Sequence, residues 1–105
     1  MTVIPNLSLP KHRQAGSPRF AVGQLLITPG AVAWLAQHHV SAFDLLARHV
    51  AGDWGDVCAE DAQANEAALR YGNRLLSVYV VAGQTCYAIT EATREATTLL
   101  LSSEY

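Results

Sequence analysis

Residues 49–61, HVAGDWGDVCAED, gather a histidine, a cysteine, a tryptophan and four carboxylates. An imidazole titrates near neutrality, and carboxylates can orient it or bind a cation, so His49, Asp53 and Asp56 are candidates for acid–base or metal chemistry. Their spacing argues against both. A helix carrying His49 should stop at Gly52, which takes His49 and Asp53 off a common helical face. No second histidine stands at a zinc-ligand distance from Cys58. No metal site is therefore expected, and His49 with its acids is expected in a solvated corner.

Cys58 falls at the start of the next helix, where the helix dipole can lower a thiol pKa. Asp56, Glu60 and Asp61 oppose that by like-charge repulsion, so an inert thiol is expected. Trp54 lies between Gly52 and Gly55, which permit a sharp turn, and its indole is expected to fold back as a buried lid; the alternative is an exposed anchor for a partner. Carboxylates at 56, 60 and 61 suit the positive end of a helix macrodipole. With no base between residues 53 and 66, they also form a patch that a positively charged partner could engage. Glu91 and Arg94, between the last two strands, offer an acid and an anion clamp or else a polar connector. His38-His39 closes the first helix, where imidazolium suits the negative dipole end.

The elements that would position these residues are legible in the pattern of the chain. Residues 1–18 hold three of the four prolines and no regular period, and are expected to be a flexible, basic arm; residues 19–105 form the single globular domain. FAVGQLLI predicts a strand over 20–27, with Gly23 a bulge or a point of close approach. Thr28-Pro29 predicts a helix start, and the helix should end near Val40 with Val32, Leu35, Ala36 and, at the margin, Trp34 facing inward. Ser41 with Asp44 resembles a capping box, and Phe43, Leu46, Ala47 and Val50 form an i, i+3, i+4, i+7 stripe. A third helix is expected over 59–71, stopped by Gly72, with Ala62, Asn65, Ala68 and Leu69 inward and a Glu66–Arg70 pair on its surface. RLLSVYVV, TCYAIT and ATTLLL read as strands, with Ala82-Gly83-Gln84 as a hairpin turn. The fold class is α+β, one small domain ordered β-α-α-α-β-β-β with an antiparallel meander at its C-terminal end.

A chain of 105 residues, half of them hydrophobic, can bury a core without staples. Its two cysteines, Cys58 and Cys86, are widely separated, which favours free thiols in a reducing compartment. No apolar run is long enough for a membrane span or a signal-peptide core, so a cytoplasmic protein with no membrane partner is expected. Seven Lys and Arg against nine Asp and Glu give a formal charge of −2, which disfavours direct nucleic-acid binding.

Four stretches carry a family resemblance: ITPGA at 27–31, LLARHVAGDWGDV at 45–57, the spaced pattern ED..AN..AL..G.RLLS.Y from Glu60 to Tyr79, and ITEATREATTLLL at 89–101, followed by Glu104-Tyr105. In these the chain resembles a family of small bacterial proteins borne on plasmids and integrative elements. It departs from that family at Thr93, where an aspartate is common before the arginine, and at Ser102-Ser103, where a proline is common. The resemblance implies a mobile-element context and no particular reaction.

The function expected is a non-catalytic protein-interaction module that modulates a host-defence or nucleic-acid-processing complex, in the manner of an anti-restriction or anti-CRISPR factor. Its partner-binding residues would be Asp53, Trp54, Asp56, Glu60, Asp61, Glu91 and Arg94, facing a basic surface on another protein, with homo-oligomerisation left open. No catalytic residue and no cofactor is assigned. The alternatives are a small ribonuclease-like toxin, which would need a basic face, and a DNA-binding regulator acting through the basic arm.

Overall fold

Side-chain caps open the first two helices, and left-handed glycines follow the last two. The computed structural model describes residues 2–4 and 17–105, the first three by backbone alone. In chain order the elements are β1 (Thr2–Ile4), β2 (Gln24–Ile27), α1 (Pro29–Gln37), α2 (Ala42–Val50), α3 (Ala59–Tyr71), β3 (Leu75–Val81), β4 (Gln84–Thr90) and β5 (Ala96–Leu101), with a 3-10 turn over Ser102–Glu104. Thr28 Oγ1 accepts the Ala31 N–H at 3.2 Å and Pro29 occupies the first helical turn of α1. Ser41 Oγ accepts the Phe43 N–H at 3.2 Å to open α2. Gly52 and Gly72 follow α2 and α3 in the left-handed region, at φ +86° and +75°, as the stop signals predict.

The strands form one sheet in the order β1-β2-β5-β4-β3. β3, β4 and β5 make the expected antiparallel meander, and β2 joins it parallel to β5. Ala82 and Gly83 turn β3 into β4 with φ +48° and +80°, the double left-handed geometry of a type I′ hairpin. The α+β succession read from the sequence is therefore present, with two differences at its start. β2 is shorter than the strand expected over 20–27, because Gly23 takes φ +64° and a Cβ there would collide with the Glu95 carbonyl oxygen. Gly23 is thus the point of close approach. Thr2–Ile4, inside the segment expected to be an arm without regular structure, pairs antiparallel with Leu25–Ile27 as β1. The remainder of that expectation, residues 5–16, lies outside the described residues.

One face of the sheet carries the main core, where Leu25, Ile27, Tyr79, Val81, Cys86, Ala88, Leu99 and Leu101 meet Ala31 and Leu35 of α1 and Leu45 and Leu46 of α2. A smaller cluster joins Trp54, Ala68 and Leu75 to Phe20, Val57, Ala62 and Leu69. The buried arcs of the first two helices are rotated from those expected. In α1, Ala31 and Leu35 face the sheet, whereas Val32 and Ala36 are exposed. In α2, Leu45, Leu46, Ala47, His49 and Val50 are buried, and Phe43, in the first turn, is 39 % exposed. The expected stripe left out Leu45 and His49, and their burial turns the inward arc of α2 away from Phe43.

Candidate functional site

His49 does not sit in a solvated corner. It is fully buried at the end of α2, clasped by hydroxyls from β3 and β4, the second of which is bonded to one on β5. Its Nδ1 lies 2.5 Å from Ser77 Oγ and its Nε2 lies 2.8 Å from Thr90 Oγ1. Thr90 Oγ1 is 2.7 Å from Thr97 Oγ1, which donates to the Val22 carbonyl at 2.8 Å. A carbonyl oxygen only accepts, and this fixes the direction of the whole chain. Thr97 spends its proton on Val22 and must accept from Thr90. Thr90 then accepts from His49 Nε2–H, so Nδ1 accepts from Ser77. The imidazole is the neutral Nε2–H tautomer, with both nitrogens satisfied.

Phe20 and Trp54 close over this ring edge-on, at centroid distances of 5.1 and 6.0 Å. Burial, with Arg94 nearby as the smaller effect, pushes the His49 pKa down to about 3. The Ser77–His49 contact has the atoms of a nucleophile–base pair, but both residues have zero exposure and the ring is committed at each end. Its role is structural: it ties α2 to β3, β4 and β5.

The corner after α2 is built as rigidly. Trp54 is 6 % exposed, stacks on Phe20 at 6.2 Å, and donates Nε1–H to Glu66 Oε2 at 3.1 Å. It is the lid, not an exposed anchor. Glu66 pairs with Arg19 through two bonds of 2.8 and 2.9 Å, not with Arg70 as the i, i+4 spacing predicted. The Arg19 guanidinium and the Trp54 indole hold the Glu66 carboxyl below the usual carboxylate range.

Gly55 forms a parallel bridge to Val78 on the edge of β3, with Val78 N–H donating to Trp54 O at 2.9 Å and Asp56 N–H donating to Val78 O at 2.7 Å. Two residues along that edge, Asn65 supplies the same pairing by side chain, donating to Leu76 O at 2.7 Å and accepting from Leu76 N–H at 3.0 Å. The outer edge of β3 is thereby capped at Leu76 and Val78, which blunts it against pairing with another chain.

The seven residues assigned to a partner surface divide by structural role. Asp53 is exposed but engaged: Arg48 donates to it at 2.7 Å, which lowers its pKa, and its main-chain oxygen accepts from Tyr79 Oη at 2.6 Å. Trp54 faces inward. Arg94, at φ +63°, donates to the carbonyls of Asn73, Glu91, Ala92 and Ala68, so its guanidinium fastens the β4–β5 loop to the end of α3. Glu91 contributes to that clasp through its main chain and leaves its side chain exposed. Asp56, Glu60 and Asp61 are exposed around the first turn of α3, beside exposed Cys58 at its N-cap. The structure thus brings those three acids together and separates them from Glu91–Arg94.

The residues missed by the sequence reading are Ser77, Thr90 and Thr97; Asn65 was expected to face inward, and does, but its bonds to Leu76 were not foreseen. The signal was available for the first three, because each is a small hydroxyl at the inward parity of an otherwise apolar strand. Among the described residues, no group of three His, Cys, Asp or Glu is placed to hold a metal ion. A surface recess of about 570 Å³ runs along the second half of α3, lined by Arg19, Glu66, Ala67, Leu69, Arg70 and Tyr71. No described helix is long and apolar enough to cross a membrane. Neither family models, curated proteins nor solved structures yield a match to this chain.

Proposed function

We propose that the chain is a non-catalytic interaction module of mobile-element origin, which uses the acids at the start of α3 to dock on a basic surface of a host-defence or nucleic-acid-processing protein. One observation carries this reading: Asp56, Glu60 and Asp61 stand exposed on a corner whose backbone is fixed by the Gly55–Val78 bridge and by buried Trp54. Carboxylates held on a pre-ordered backbone lose little freedom on binding, and a surface of one sign steers an oppositely charged partner. The burial of Ser77 and His49 supports the same reading, since the one nucleophile–base pair described here lies out of a substrate's reach.

The test is capture from host lysate on immobilised protein, with chemical cross-links mapped by mass spectrometry. The wild type and an Asp56→Asn, Glu60→Gln, Asp61→Asn variant are compared. A basic protein that cross-links beside residues 56–61 and is lost both in the variant and at raised salt supports the proposal. Partners bound equally by both proteins, or cross-linked elsewhere, overturn it.

A further inference from the structure

Residues 17–105 contain five arginines and no lysine. Four of the five are engaged within the fold: Arg19 binds Glu66, Arg48 binds Asp53, Arg74 donates to Tyr105 Oη at 2.8 Å, and Arg94 holds the carbonyls around the end of α3. Arg70 is different. It is exposed, and among the described residues none hydrogen-bonds or ion-pairs with it. The i, i+4 spacing offers it Glu66, but that carboxylate is taken by the Arg19 guanidinium and the Trp54 indole. The negative end of α3 does not occupy it either, because Arg94 already supplies a cation there, donating to the Ala68 and Asn73 carbonyls.

This guanidinium lines the surface recess of about 570 Å³ on the second half of α3, a volume within the roughly 300 to 1,000 Å³ of small-molecule sites. Tyr71, at the next position, lines it too and is 71 % exposed. The residue one turn before Tyr71 on the same side is Ala67, too small to cover the ring. Two cations, Arg19 and Arg70, against one anion, Glu66, leave the lining one positive charge. An uncommitted guanidinium and an open aromatic face therefore stand side by side in one recess.

We propose that this recess binds a small aromatic carboxylate, its ring stacked on Tyr71 and its carboxylate held by Arg70. The planar guanidinium presents parallel N–H donors that match a carboxylate in bidentate fashion. A tyrosine face beside it favours a planar body over an aliphatic one. Glu66, although paired, keeps its oxygens on the same wall, so a single negative charge fits better than a phosphate dianion. The site lies about 15 Å along α3 from Glu60 and is independent of the acids at the start of that helix. One ion pair and one stacked ring in an open recess give weak binding, with a dissociation constant on the order of 0.1 mM to 1 mM.

Titration of the isotope-labelled full chain with indole-3-acetate, up to about 10 mM and followed by amide NMR shifts, reads this directly. Saturable shifts should centre on Ala67, Arg70 and Tyr71. Acetate, which lacks the ring, and adenosine monophosphate, which carries a dianion, should each bind at least about tenfold more weakly. Arg70→Gln and Tyr71→Ser alter exposed side chains, so each should keep the parent melting temperature while weakening binding by about tenfold. The absence of saturable shifts, shifts centred elsewhere, or an affinity that both variants retain overturns the proposal. Adenosine monophosphate binding as tightly as indole-3-acetate overturns the assignment of a carboxylate.

Discussion

Lowering the pH from 7 to 5 should destabilise this protein by about 2 kcal/mol, and His49 should account for nearly all of the change. The imidazole is held neutral in the fold with a pKa of about 3, against an unfolded value near 6.5. The folded-state value is depressed, so over this range the unfolded chain binds the extra proton. Stability is then complete above about pH 6.5 and falls at about 1.4 kcal/mol per unit below it, reaching roughly 2 kcal/mol at pH 5 and 4 to 5 kcal/mol near pH 3. Carboxylates act lower. Asp53, Glu66 and Glu104 are held below their ordinary values by Arg48, by Arg19 with Trp54, and by Thr28 with the Leu101 amide, so their contributions are present above about pH 4.5 and are lost beneath it.

Urea melts at half-unit steps between pH 7 and 5 isolate the His49 contribution. His49→Asn leaves at least one strand hydroxyl without its partner and should cost about 1 to 3 kcal/mol at pH 7. It should also flatten the dependence on pH. A wild type as stable at pH 5 as at pH 7, or a variant with the parent slope, would refute both the buried neutral imidazole and the hydrogen-bond direction drawn from Val22.

Trp54→Ala removes a buried indole between Phe20, His49 and Ala68 and should lower stability by about 3 to 5 kcal/mol in chemical denaturation, a large share of what a small domain possesses. A variant as stable as the parent would show that the indole is dispensable to the corner. Asn65→Ala strips both partners from the Leu76 peptide at the edge of β3 and should cost about 2 to 3 kcal/mol. Its sharper readout is hydrogen exchange, where the Leu76 amide should lose protection while amides in β4 keep theirs.

What the sequence disclosed was set by local chemistry. Thr28, Ser41, Gly52 and Gly72 act within one turn of themselves, so helix ends were legible from neighbours alone. Runs rich in β-branched, aromatic and aliphatic residues gave the meander, and Ala82-Gly83-Gln84 its hairpin, for the same reason. β1 was not legible, because a three-residue edge strand carries too little pattern to register and exists only through its ladder to β2. His49 was misplaced because its partners, Ser77 and Thr90, lie 28 and 41 residues away, and a polar residue is inexpensive to bury only when such partners arrive together. Arg94 and Glu66 misled for the same reason. The carbonyls of Ala68 and Asn73 and the guanidinium of Arg19 are neighbours in space and not in sequence.

GDWGD therefore bears on function differently from how its residue types first suggest. Gly52 ends α2, Asp53 holds Arg48 and receives Tyr79, Trp54 roofs His49, and Gly55 approaches Val78 where a side chain would collide. Four of the five positions are spent on the fold, and Asp56 leaves its side chain exposed. The main chain of Asp56 nonetheless pairs with Val78 at 2.7 Å, so its carboxylate projects from a sheet edge and not from a loose loop. A motif of this kind constrains sequence tightly for reasons of packing while delivering one oriented charge, joined on the next helical turn by Glu60 and Asp61. Specificity for a partner would then reside in residues that the motif does not fix, around the start of α3, where exposed side chains can vary without disturbing the network that His49 holds together.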